Sequence, residues 1–163
     1  MVLAAGVGSG VYRFFLLLHI LSAVVGFGGV MLNGVYAAQA KRRGGAEGAA
    51  VSEANYEVSK IAEYAIYAVF VFGVITVSLG KDDVKFSQSW VGISMVLYLI
   101  AAVVARLVLI PGHRQLNELM RAGASRTELA SREKRLAAVG GTLNLVFVVI
   151  LFLMVFKPGG PRI

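Results

Sequence analysis

One histidine, His19, lies inside a long apolar run, and it is the side chain there best suited to chemistry. An imidazole at membrane depth can ligate a haem iron or a copper ion, or pass on a proton. The plain alternative is a neutral ring hydrogen-bonded across a helix bundle. His113, the only other histidine, is no partner for it. His19 falls near one end of its apolar segment and His113 just past the opposite end of the third, so much of a ~30 Å hydrocarbon core separates them. Met95 has a matching depth and would complete a His/Met pair, although a methionine at such a position is more often packing. Glu63 and Arg106 also fall at similar depths. They form either an intramembrane ion pair or a wet carboxylate beside an arginine that snorkels to the interface. Asn33 and Asn144 suit interhelical hydrogen bonds, worth ~1 kcal/mol, that fix register.

Other chemistries are missing from the sequence. There is no cysteine, so no disulfide, thiol nucleophile or cysteine-ligated cluster. No phosphate-loop or H-E-x-x-H pattern occurs, and no carboxylates pair at membrane depth. The glycines of Gly6-Val7-Gly8-Ser9-Gly10 precede an apolar helix with no βαβ unit, and Asp82-Asp83 reads as a solvated loop pair.

The elements that must position these residues follow from composition. Of 163 residues, 58% are hydrophobic and 15% charged, against about 25% charged in soluble domains. The mean hydropathy is +0.76. A soluble domain and a disordered chain are both excluded. Crossing a bilayer as a helix takes ~20 apolar residues, and four stretches qualify: about 14–38, 62–79, 90–110 and 136–156. None alternates with period two, which excludes barrel strands. The expected fold is all-α, a single domain of four transmembrane helices in an up-down bundle. Ala38-Gln39-Ala40 resembles a signal-peptide cleavage site, but the apolar run before it is too long and the basic cluster Lys41-Arg42-Arg43 follows it, so the helix is expected to be retained.

Basic residues orient the bundle. The two longer connections carry ten Lys and Arg, from Lys41 to Lys60 and from Arg114 to Arg135. The opposite side carries five: Arg13, Lys81, Lys85, Lys157 and Arg162. The positive-inside rule puts the longer connections in the cytoplasm and both termini outside. The net charge of +7 then reflects membrane borders; Glu118, Glu128 and Glu133 break up the arginines, so no nucleic-acid surface is expected. Within the connections, the pattern from Ser52 suits a helix running on into the second span. Pro111-Gly112 is expected to close or kink helix three, with a short amphipathic helix from His113 to Arg121 after it. Ser125 with Glu128 forms a capping box, from which the last helix starts near Arg126.

Small residues recur four apart at Ser22 and Gly26, at Ala101 and Ala105, and at Ala137 and Gly141. Such spacing lets helix backbones approach closely. Ser22, Gly26 and Gly29 share one bare side of helix one, filled either by a helix of the same bundle or by a partner protein, and the partner is the preferred expectation.

The strings Leu16-Leu17-Leu18-His19-Ile20 with Gly28-Gly29, Ser89-Trp90-Val91-Gly92, Leu109-Ile110-Pro111 and Phe152 to Gly159 resemble an uncharacterised bacterial family of small four-helix membrane proteins, a domain of unknown function. The resemblance spans nearly the whole chain and implies architecture without an activity. The first helix is also similar to copper-resistance D-type and HemJ-type proteins, which carry a histidine followed by an aromatic residue and two glycines. His19, Gly28 and Gly29 match, whereas the tryptophan expected seven residues after the histidine is Gly26, and no further ligand carries over. The expected function is a non-enzymatic accessory or stabilising subunit of a larger bacterial inner-membrane complex, such as a lipid importer or respiratory assembly. Its partners would be lipids and other integral membrane subunits, with no cofactor. The alternative is a haem- or copper-linked redox protein using His19, with haem b as the group.

Overall fold

The computed structural model describes residues 6–160; Arg162, one of the five basic residues on the terminal side, lies outside them. The described residues form helices and turns with no strand. In order they are α1 (Gly10–Arg43), α2 (Gly45–Leu79), α3 (Ser89–Val104), a π-helical turn (Ala105–Leu109), α4 (Ile110–Arg121) and α5 (Arg126–Phe156). The segment Ser89–Arg121 is continuous, which leaves four helices long and apolar enough to cross a membrane. Only 22–28% of each span's most apolar window is buried. Large apolar side chains such as Phe14, Val24, Leu107 and Val155 therefore cover the outside, as lipid requires and water would penalise. The chain is a four-helix integral membrane protein.

Two connections differ from expectation. The amphipathic helix expected over residues 113–121 is present as α4, but Pro111 does not close helix three: α4 continues the third span without a break. A proline lacks the N–H for the helical bond, and its ring crowds the carbonyl four residues back. The π turn just before it widens the helix by one residue and absorbs that conflict. The α1–α2 connection is a single residue, Gly44, at φ +65°, so α2 begins at Gly45, well before the apolar span. Gly48 packs directly against the Ala40 carbonyl, where a Cβ would collide. The capping box does form: Ser125 Oγ accepts from the Glu128 N–H, and Glu128 accepts from the Ser125 N–H at 3.0 Å. Gly123 at φ +70° ends the preceding helix.

The four spans form a ring: α1 packs along α2, α2 on α4 of the third span, that span on α5, and α5 returns to α1. A Cβ on Gly26 would meet Ile66 at 2.9 Å, and one on Gly29 would meet Ala62 at 2.7 Å. This corrects the preference for a partner protein on the Ser22–Gly26–Gly29 side: α2 fills the groove. Tyr98 of α3 donates to the Ile66 carbonyl at 2.5 Å and stacks on Phe70. Phe27 and Phe147 stack at 4.3 Å and join α1 to α5. At the basic end Arg121 pairs with Glu53, Ser52 donates to Asn117, and Arg132 donates to Gln115. At the terminal end Lys157 lies over the Trp90 ring.

Candidate functional site

Below the Phe27–Phe147 stack, toward the basic end, α1 and α5 lose their bulk. α1 presents Gly34, Ala37 and Ala38, and α5 presents Ala137, Gly140 and Gly141. A Cβ added at Gly34, Gly140 or Gly141 would meet nothing within 4 Å. A cleft of about 640 Å³ opens between the two helices, with α2 and α4 behind it. Gly34, Ala37, Ala137 and Gly141 are exposed, so the opening faces sideways out of the bundle.

The wall behind this opening is unusual for a bundle core. It includes Asn33 from α1, Asn55 from α2, His113 from α4 and Asn144 from α5. Asn33 and Asn55 are 7% and 6% exposed. Ser59 ties them together, lying 3.2 Å from Asn33 Oδ1 and donating to the Asn55 carbonyl at 2.8 Å. Each of the four wall residues still holds a buried polar atom with no partner: Asn33 Nδ2, Asn55 Oδ1, His113 Nδ1 and Asn144 Oδ1. Such an atom costs about 1–3 kcal/mol when left unmatched, and native interiors hold few of them. Two others, on Trp90 and Ser94, lie outside the cleft lining. The charged groups of the cleft are Lys41, Glu133 and Lys134, and Lys41 approaches Glu133 at 3.8 Å. The arrangement suits holding a polar group in a largely apolar slot. No group of three His, Asp or Glu that could hold a metal ion occurs among the described residues.

The residues singled out by sequence fall in several places. His19 lies outside the cleft. Its Nδ1 is 2.8 Å from the Val69 carbonyl, which can only accept, so Nδ1 carries the proton. The ring rests on Gly73, where a Cβ would come within 3.0–3.1 Å of it. His19 thus fastens α1 to α2. Met95 packs against Val84, Trp90 and Val91 at the terminal end. Glu63 and Arg106 approach at 3.3 Å, the carboxylate largely covered and the guanidinium largely exposed; Tyr67 also donates to Glu63 at 2.6 Å. Ala101 and Ala105 are core residues. Ala137 and Gly141 are exposed and form the α5 lip of the cleft, and a Cβ on Gly141 would meet nothing within 4 Å. Sequence reasoning missed Asn55 and the meeting of His113 with Asn33 and Asn144. One signal was available: Asn33 stands nine residues before Arg42 and Asn144 nine after Arg135, so they share a depth.

A search of curated proteins and a search of solved structures each gave no match. The family described as "Predicted integral membrane protein (DUF2269)" matches residues 14–158, nearly the whole chain, and the protein belongs to that family.

Proposed function

We propose that this family member is a non-enzymatic binding subunit of the bacterial inner membrane, and that the α1–α5 cleft is its working part. One observation carries the proposal: four residues with unpartnered buried polar atoms line a single laterally open cleft. A fold that leaves these groups unmatched gives up stability that an occupant can return. In this reading the basic end faces the cytoplasm and both termini face outward, as the Lys/Arg bias favours. The protein acts as an accessory component of a larger assembly by presenting what the cleft holds.

The test is gentle detergent extraction of the tagged full-length protein, followed by native mass spectrometry of wild type and Gly141→Leu. Leucine there adds bulk at the lip of the cleft, and its Cβ would meet nothing within 4 Å. Equal accumulation is expected, with a stoichiometric bound species, protein or small molecule, present only in the wild type. The same species on both proteins would refute the proposal.

A second reading, a haem- or copper-linked redox protein, draws on one feature. With Nδ1 protonated toward Val69, the neutral His19 ring keeps its lone pair on Nε2. An absorption spectrum of the same preparation separates the two readings.

A further inference from the structure

Resting on the cleft as the working part of the protein, we propose that its occupant is a lipid with a small, uncharged, oxygen-bearing head and a long apolar tail, taken in sideways from the membrane between α1 and α5. The first reason is charge. The unpartnered groups of the wall belong to amides and an imidazole, and the charged residues of the lining are confined to Lys41, Glu133 and Lys134. Those three lie about two to three helical turns nearer the basic end than Asn33 and Asn144. A phosphate or carboxylate drawn down to Asn33 and Asn144 would lose its water and meet no cation. A neutral head avoids that loss.

The second reason is hydrogen bonding. The unpartnered atoms are of both kinds: Asn33 Nδ2 donates, Asn55 and Asn144 Oδ1 accept, and His113 Nδ1 does either. A hydroxyl or carbonyl head answers such a set. An apolar partner helix laid into the cleft would leave it unanswered.

The third reason is depth and access. Asn33 and Asn144 stand nine residues inside Arg42 and Arg135, about 14 Å of helix at 1.5 Å per residue. Charged lipid heads are held at the interface by their hydration, whereas small neutral heads can sink to this level. The exposed Gly34, Ala37 and Gly141 leave the slot open to the hydrocarbon, where a tail can remain. The volume, about 640 Å³, lies within the roughly 300–1,000 Å³ typical of small-molecule sites.

Quinones and diacylglycerols share this chemistry, and one experiment separates them. The purified full-length protein is titrated with decylubiquinone, with dioctanoylglycerol, and with dioctanoyl phosphatidylglycerol as the charged-head control. Binding is read by native mass spectrometry and by melting temperature. One of the two neutral ligands is expected to bind one-to-one and raise the melting temperature, and which one it is identifies the source. Gly141→Leu and the double variant Asn33→Leu/Asn144→Leu should each weaken binding at least tenfold. Gly28→Leu, which also meets open space but lies outside the cleft lining, should leave it unchanged. Preference for phosphatidylglycerol, binding indifferent to both cleft variants, or no binding of any of the three overturns the proposal. A protein that co-purifies with wild type and is lost from Gly141→Leu, with no lipid bound, would keep the cleft as a binding site and reject a lipid as its occupant.

Discussion

Gly29→Ala compared with Gly28→Ala gives a quantitative test of the α1–α2 packing. The two glycines are adjacent on one helix, so the gain in helix propensity, about 1 kcal/mol for Gly→Ala, is common to both and cancels. The surroundings differ. A Cβ at Gly28 meets nothing within 4 Å, whereas one at Gly29 lies 2.7 Å from the Ala62 Cβ. Two carbons prefer about 3.5–4.0 Å, so the α1–α2 seam must open by about 1 Å. Ala62 is 1% exposed, with no free side to retreat into. Overpacking of this kind costs about 1–3 kcal/mol, and that is the expected difference between the two variants in a reversible SDS-titration unfolding experiment followed by circular dichroism. Removing the opposing methyl should relieve it, so Gly29→Ala/Ala62→Gly is expected to be less destabilised than the two single changes added together. Equal stability of Gly28→Ala and Gly29→Ala, or strict additivity in the double variant, would refute the close packing. A glycine face turned to lipid or to a partner protein gives that equal result for the isolated protein.

His19→Ala removes one side-chain bond to the Val69 carbonyl and should cost about 0.6–1 kcal/mol in the same assay; no Soret band is expected in wild type, and a stoichiometric one abolished by His19→Ala would promote the redox reading. Reporter fusions at Gly123 and at the C-terminus should report cytoplasm and exterior respectively; a C-terminal fusion active only in the cytoplasm would reverse the proposed orientation.

Much of the architecture was legible because hydropathy is a local property. Four apolar runs gave four spans, and Ser125 with Glu128 announced the start of α5 through chemistry confined to one helical turn. What depended on neighbours was not legible. Pro111 reads as either the end of helix three or a kink in it, and only the π turn before it shows how the helix carries on. The amphipathic helix after it was legible, but not that it continues the third span and carries His113 against α1 and α5. Asn55 was hidden differently. It lies within the helix read from Ser52 but before the apolar segment at residue 62, and nothing in α2 alone shows that its neighbours bury it. The small-residue sides of α1 and α5 looked alike in sequence, yet one is filled by Ile66 and Ala62 and the other is open. No pattern in a single helix states which of its neighbours will come close.

The position of the cleft follows from how unevenly α1 and α5 are held. Through the one-residue Gly44 turn and the glycine contacts at Gly26, Gly29 and Gly48, α1 is bound to α2 along its length. α5 is held elsewhere: Lys157 lies over Trp90 at the terminal end, and Arg132 donates to Gln115 of α4 at the basic end. Between α1 and α5 the firm contact is the Phe27–Phe147 stack. At the basic end they meet through Lys41 and Glu133 at 3.8 Å, with the lysine side chain 69% exposed. A pair so wet contributes under about 1 kcal/mol and weakens further with salt. The seam with the least holding it closed is therefore the one with unmatched polar groups behind it. Opening it exposes mainly glycine and alanine on the two lips, so little side-chain packing is lost. An occupant that meets Asn33, Asn55, Asn144 and His113 has only that weak contact to displace.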